Sequence, residues 1–258
     1  MGPDAPLVVL HREWIIAPGD GLGQATAWAS DGGGQHLIPP DGSMDMILRW
    51  RPDGSLFDGF VSPPSLGAFS VILDPRDRYA GVRLPPPLGF TLLGPPADFA
   101  ESPQSLPPWL WRLGQAVLAD PDRPADLVAR DLARALFLRS PPLSPEALRV
   151  DRCWALLRSG LEPGAALREA PWSERAARRS FARIAGVSPR FLSTVARMER
   201  AGWLLARGRG SLAQIAQEAG FTDQAHMGRS LRVLTGLPAG AALALLAERY
   251  KTTGWLSP

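Results

Sequence analysis

The stretch SLAQIAQEAGFTDQAHMGRSLRVLTGL, residues 211–237, decides how the rest of the chain is read. Leu212, Ile215, Ala216 and Ala219 recur at i, i+3, i+4 and i+7, which gives a short helix one narrow apolar face. Ser211 opens that helix with Gln214 three residues on, a spacing that lets each side chain accept the other residue's backbone N–H. Gly220 can take a positive φ and turn the chain at once, and Phe221 gives the turn an apolar plug. Thr222 or Asp223 can then cap a second helix that lays Met227, Leu231 and Leu234 along one side. Ala225, Arg229 and Arg232 point the other way, with Gln224 near the edge. Two short helices joined by a glycine turn, with amide and guanidinium groups on the outer face of the second, describe a helix-turn-helix able to enter a DNA major groove; by spacing alone a structural helical hairpin fits too.

Residue identity goes further than spacing. The run IAQEAGFTDQAHMGRSLRVLTG resembles the second helix-turn-helix of AraC-family transcription regulators, whose pattern is approximately IA-x-x-x-GF-x-D-x-x-HF-x-R-x-F-(x)n-G. Ile215, Ala216, Gly220, Phe221, Asp223, His226, Arg229 and Gly236 match it. Met227 replaces the usual Phe, and Gly236-Leu237-Pro238 is one residue shorter than the usual spacing. Both are tolerable, since methionine still fills an apolar gap.

Upstream, a helix at 147–159 precedes a segment, 164–187, that can be laid over the family's opening helix-turn-helix. Ser173 caps a helix at 173–184 that buries Ala177, Phe181 and Ile184 and shows Arg175, Arg178, Arg179 and Arg183. Pro171-Trp172 stands where the family has Gly-Leu, and Gly164-Ala165-Ala166 is a poor helix start, so this first turn departs from the pattern. Gly186-Val187-Ser188-Pro189 matches the family's Gly-x-Ser-Pro and starts a connecting helix, 189–206, at a proline. Its 18 residues reach about 27 Å, near the roughly 34 Å repeat of one DNA turn. The family's contact positions fall on Arg175, Arg178 and Arg179 in the first reading helix and on Gln224, Ala225 and Arg229 in the second. Arginine can grip guanine O6 and N7, and Gln can pair with adenine. Arg183, Arg197, His226 and Arg232 are expected at phosphates or in packing, and Arg200 could touch backbone between grooves.

The charge distribution agrees with this reading. Residues 1–145 hold 11 Arg against 16 Asp and Glu, whereas 146–258 hold 16 Arg and one Lys against 9 acids. A polyanionic partner, double-stranded DNA, belongs to the second part. The beginning of the chain carries no basic segment followed by a long apolar run, and no membrane-length apolar stretch occurs, so a cytoplasmic location and no membrane partner are expected. One cysteine, Cys153, excludes an internal disulfide and a multi-cysteine zinc site, and it is expected on the buried side of a helix.

Over 7–93 the chain is a series of short β-type runs: LVVL, EWIIA, ATAWA, HLI, DMILRW, SLFDGFV, AFSVIL and YAGVRL. Turn residues separate them, including Gly19-Asp20-Gly21, Gly32-Gly33-Gly34, Asp41-Gly42 and the hairpin signal Arg51-Pro52-Asp53-Gly54. The glycine triplet reads as a loop, with room for a ligand as the alternative. An antiparallel β-barrel or sandwich follows. His11 and His36 stand in separate runs without a His-x-His pattern, so no metal or other cofactor is expected; an apolar interior could hold a small-molecule effector, with Trp14, Trp28 and Trp50 as core or as walls. LIPPDGSMDMIL and YAGVRLPPPLGFTLLGPPADF resemble an N-terminal domain of a subset of AraC-type regulators, matching at Asp41, Gly42, Asp45, Gly81 and Arg83, although Leu84 and Pro87-Leu88 depart from it. Asp41, Asp45 and Arg83 read as a buried ion-pair network.

A connector at 102–108 leads to helices at 109–118 and 125–138, which the resemblance implies as a homodimer contact and periodicity alone allows to pack on the barrel. The expected fold is therefore α+β and multidomain. A sensory and dimerisation domain at 1–145 has its β-rich part at 7–100 and helices at 109–139. An all-helical DNA-binding domain at 146–258 carries two helix-turn-helix units, about 164–187 and 211–237. The expected function is sequence-specific transcription regulation, with activation through RNA polymerase implied by the resemblance. A DNA-repair-type enzyme and a non-specific architectural DNA binder are the alternatives, and no catalytic residue set can be assembled.

Overall fold

The computed structural model describes residues 12–16, 25–99, 104–169 and 172–252. The run at 7–10, His11, the turn at 19–21 and Pro171 lie outside the described residues.

Among the described residues seven of the β-type runs form strands, β1 (Arg12–Ile16), β2 (Ala25–Ser30), β3 (Gln35–Ile38), β4 (Met44–Trp50), β5 (Phe57–Ser62), β6 (Phe69–Ile72) and β7 (Arg78–Leu84), and the expected connector at 102–108 adds a short eighth, β8 (Gln104–Ser105). Six of them make an antiparallel sheet in the order β1-β2-β7-β4-β5-β8, and β3 and β6 pair as a separate ribbon. The expected hairpin joins β4 to β5: Gly54 takes φ +72° and donates its N–H to the Arg51 carbonyl at 3.0 Å. The glycine triplet carries the chain from β2 to β3 outside the cavity described below.

The two-residue period of β4 sorts its side chains between faces. Met44, Met46, Leu48 and Trp50 are fully buried, while Asp45, Ile47 and Arg49 alternate with them on the other face. The first set packs under α2 (Pro108–Val117) and α3 (Ala125–Phe137), and α3 lies across β2 and β7 with Val128, Leu132 and Leu136 buried. The Trp50 indole N–H donates to the Pro121 carbonyl at 2.9 Å and ties the α2–α3 turn to the sheet. Gly81 on β7 is needed for close approach, since a Cβ there would sit 2.2 Å from the Trp28 indole.

Two helices extend the reading of the sequence. PPPLGFTLL forms α1 (Pro86–Leu93), because prolines at the cap and in the first turn forfeit only N–H groups that have no partner within a helix. The chain after Pro238 forms α10 (Ala239–Thr252), which packs on the long α7 (Pro189–Ala206) through Ala242, Leu243 and Leu246. Between them run α4 (Pro145–Arg158), capped by Ser144 and two residues earlier than expected, α5 (Pro163–Arg168), α6 (Glu174–Ala185), α8 (Leu212–Glu218) and α9 (Gln224–Thr235).

The helices have two apolar clusters. One gathers Val150, Trp154, Phe181, Ile184 and Leu192; the other gathers Val195, Met198, Ile215, Phe221, Met227 and Leu231. Because α7 contributes to both, it fixes the two clusters relative to each other. An antiparallel sheet with its helices is thus followed by an all-helical region. Among the described residues no single helix is long and apolar enough to cross a membrane.

Candidate nucleic-acid interface

The second helix-turn-helix is built as its sequence dictates. Ser211 and Gln214 form a complete capping box, with the Ser211 N–H donating to Gln214 Oε1 at 2.7 Å and the Gln214 N–H to Ser211 Oγ. Gly220 turns the chain at φ +88°. The Phe221 N–H then donates to the Ala216 carbonyl at 2.9 Å, and its ring lies buried, edge-on to His226. Between the two candidate caps the structure assigns Asp223, whose Oδ1 accepts the His226 N–H at 2.6 Å. Met227, Leu231 and Leu234 are buried; Gln224, Ala225, Arg229 and Arg232 are exposed. Leu212 departs from its expected place: it is 37% exposed, because the buried face of α8 begins at Ile215.

The first unit forms in spite of its departures. Pro163 sits in the opening turn of α5, and the Trp172 indole N–H donates to the Leu167 carbonyl at 3.1 Å while its ring leans on Phe181. Ser173 Oγ accepts the Ala176 N–H, and Ala177, Phe181 and Ile184 are fully buried. Ser188 Oγ accepts the Phe191 N–H and starts α7 at Pro189.

α6 and α9 flank one groove, with Arg178 and Ala182 on one wall, His226 and Ser230 on the other, and Arg190 and Thr194 from α7 between them. Arg175, Arg178 and Arg179 are exposed together on α6, and Arg229 and Arg232 on α9. Their engagement differs. Arg178 pairs with Glu174 at 2.6 Å, whereas the side chains of Arg175, Arg179 and Arg229 make no hydrogen bond or ion pair among the described residues. Arg183 is drawn into packing: it pairs with Glu146 and lies over the Phe90 ring of α1. Arg197 is half-buried and pairs with Glu162. The His226 ring meets Thr222 through Nδ1, in the cap of α9. Arg200 is exposed.

A second feature lies in the sheet region. A cavity of about 140 Å³ separates the six-stranded sheet from the β3–β6 ribbon, with Trp28, Ile47, Phe60, Phe69, Val71 and Tyr79 among its lining. Of the three tryptophans weighed as walls, only Trp28 lines it. Trp50 faces the helices on the opposite side of β4, and Trp14 lies under the Arg130 guanidinium. The expected ion-pair network is present and stands in the cavity wall. Arg83 Nε lies 2.6 Å from Asp41 and 3.6 Å from Asp45, Arg83 Nη1 donates to Glu13 at 3.0 Å, and the Trp28 N–H donates to Asp45 at 2.7 Å. Burial pushes the Asp45 carboxyl above its usual range although Arg83 pulls it down.

Two segments carry this wall to the helical region, which spacing could not reveal. Gly42, next to Asp41, admits the Leu192 side chain of α7 so closely that a Cβ would lie 2.3 Å from it. The loop 63–68 lines the cavity with Pro63 and Ser65, places Leu66 at the groove between α6 and α9, and donates the Ala68 N–H to the Leu234 carbonyl of α9 at 2.7 Å.

Residues 166–244 match a family model described as a helix-turn-helix domain. The chain is similar over 86% of its length to ToxT from Vibrio cholerae O395, at 10% identity, 97% coverage of that chain and a TM-score of 0.44. It is also similar to ToxT bound to (E)-4-(8-methylnaphthalen-1-yl)but-3-enoic acid, at 12% identity, 98% coverage and a TM-score of 0.45. A third similar structure, unsaturated fatty acid bound wild-type ToxT from strain SCE256, gives 8%, 94% and 0.43. No curated protein sequence matches the chain. Behind an antiparallel sheet and its helices, residues 166–244 therefore form a helix-turn-helix domain of the AraC type.

Proposed function

We propose that this DNA-binding regulator recognises a specific bipartite site as a homodimer, and that a small effector in the sheet cavity governs how its reading helices are presented. One observation carries the DNA reading. Two N-capped helices, α6 and α9, flank one groove across a single 18-residue helix of about 27 Å, and each shows exposed arginines without an ion pair among the described residues. That span lets the pair address major grooves about one turn apart. Arg175, Arg179, Gln224 and Arg229 are the base readers in this reading, with Ala225 able to meet a thymine methyl group and Arg178 available once it leaves Glu174. Arg232 is placed for a phosphate, whereas Arg183 and Arg197 serve packing.

The units at 1–145 and 146–258 act as sensor and reader, linked through the 41–42 and 63–68 contacts. An effector that binds differently to the arrangement with those contacts and to the one without them shifts the balance between the two. Dimerisation through α2 and α3 is favoured by Trp109, Leu127 and Leu138, which are exposed there, Leu138 to 86%. Contact with RNA polymerase and activation are the regulatory outcome in this reading. A chromosomal target places the protein's work in the cytoplasm.

The repair-enzyme alternative needs a reactive thiol, and Cys153 is poorly suited. It is 1% exposed, and burial pushes it up to about 11. In native protein at pH 8 a chromogenic disulfide reagent is expected to leave Cys153 unlabelled over minutes, and to titrate one thiol at once in denaturant. Rapid native labelling would revive the alternative.

The DNA reading is tested by selecting bound duplexes from a random pool at fixed salt. One motif of two boxes about a turn apart is the expected recovery. Featureless recovery by folded protein leaves the architectural reading instead.

A further inference from the structure

We propose that Arg190 holds a DNA phosphate between the two boxes, where the duplex crosses the groove that separates α6 from α9. This deepens the DNA reading above and rests on it. Two helices that enter successive major grooves leave the intervening minor groove, with a phosphate chain along each edge, over the protein surface between them. Here that surface is the α6–α9 groove, and Arg190 and Thr194 of α7 stand between its walls. Arg190 is exposed there, facing DNA that neither reading helix enters.

The groups lining the groove single Arg190 out. Glu174 and Glu162 are its carboxylates, and each already has an arginine: Glu174 pairs with Arg178 at 2.6 Å, and Glu162 pairs with Arg197. His226 is turned to Thr222 through Nδ1, and Leu66, which reaches the groove from the sheet region, is apolar. Among the described residues the Arg190 side chain makes no ion pair or hydrogen bond. The Thr194 hydroxyl donates to the Arg190 carbonyl at 3.0 Å, so it has no hydrogen left for a phosphate oxygen. The guanidinium is the donor at this point of the groove.

A structural role does not account for this side chain. Arg190 follows Pro189 in the first turn of α7, where the helix macrodipole disfavours a cation and no acidic residue of that turn offsets it. It packs under nothing that its exposure would leave buried. Function gives it a use that folding does not. Because α7 fixes the two apolar clusters of the helical region relative to each other, a phosphate held at Arg190 sets the register of both boxes at once. Such a contact positions the duplex and carries no base information, so Arg190 is a positioning residue and not a base reader.

The test uses the full chain and the duplex recovered by selection, with affinity measured by fluorescence anisotropy over a range of salt. Arg190→Ala is expected to weaken binding about tenfold at low salt, on operator and unrelated duplex alike, and to lower the slope of log affinity against log salt by about one. Both boxes of its selected motif are expected to match those of the wild type. Arg190→Lys, which keeps the charge, is expected to keep the slope. Neutral methylphosphonates placed singly along the operator then locate the contact. One between the boxes is expected to weaken the wild type by a similar factor and to have no further effect on Arg190→Ala. Four results overturn the proposal: an unchanged slope in Arg190→Ala, a lowered one in Arg190→Lys, a box redrawn by Arg190→Ala, or no phosphate between the boxes that couples to Arg190. Each of these leaves the bipartite reading standing, whereas featureless selection by the wild type removes both.

Discussion

Arg229→Ala is expected to weaken binding to the selected operator by about 1–3 kcal/mol, about 5- to 150-fold, and to erase base preference in one box while leaving the other sharp. The side chain leaves the exposed face of α9 and pairs with no carboxylate among the described residues, so its guanidinium is available for a guanine edge. Arg179→Ala on α6 is expected to do the same to the other box. Losing a base contact changes which sequence is preferred, whereas losing a phosphate contact weakens all sequences together and flattens the salt dependence. Repeated selection with each variant separates the two, and Arg183→Ala is the internal control. Arg183 is held between Glu146 and the Phe90 ring, so its replacement should loosen the packing of α6 on α1 and α4 without altering the recovered motif. A uniform weakening by Arg229→Ala and Arg179→Ala, with both boxes still sharp, would make these arginines phosphate contacts.

How much of this was legible in the sequence depended on whether the deciding interaction was local. The second helix-turn-helix was readable almost residue by residue, because its capping box, glycine turn, apolar plug and Asp223 cap all act within a few positions. α1 was not anticipated: proline ordinarily interrupts a helix, yet the three at this helix start cost only N–H groups that would have no partner there. A period of two puts Asp45 and Trp50, five positions apart, on opposite faces of β4. What alternation cannot say is which face a distant helix will cover. α3 lies over the Trp50 face, and that placement turned Trp50 into core and left the Asp45 face to the cavity. The ion-pair network was anticipated from Asp41, Asp45 and Arg83, but Glu13 joins it across the sheet, and its place in a cavity wall is a property of the assembled strands. The contacts of Gly42 with Leu192 and of Ala68 with Leu234 join residues about 150 and more than 160 positions apart, for which a single sequence carries no local signal.

That network also gives the largest expected loss of stability. Arg83→Met is expected to cost about 3–5 kcal/mol in equilibrium unfolding, because it leaves Glu13, Asp41 and Asp45 buried without their shared cation, and a broken buried pair is far worse than one never made. Methionine keeps much of the apolar stem, so the loss reports charge more than volume. The cost should depend on pH with a definite sign. Asp45 already has its carboxyl raised in the folded state, by burial first and then by Asp41 and Glu13, against the pull of Arg83. For a carboxyl raised on folding, its favourable contribution is whole below the unfolded value of 3.8 and is lost as pH rises through the folded value. Removing Arg83 takes away the main lowering influence, so Asp45 rises further and more of that contribution has gone by neutral pH. Urea unfolding of Arg83→Met and wild type at pH 5 and pH 8 should therefore give the larger difference at pH 8. Asp45→Asn in the Arg83→Met background should recover part of it, since an amide needs no counter-ion. A difference below about 1 kcal/mol that is the same at both pH values would show that the carboxyl groups find water or protons without Arg83, and the wall would lose its charged character as a binding surface.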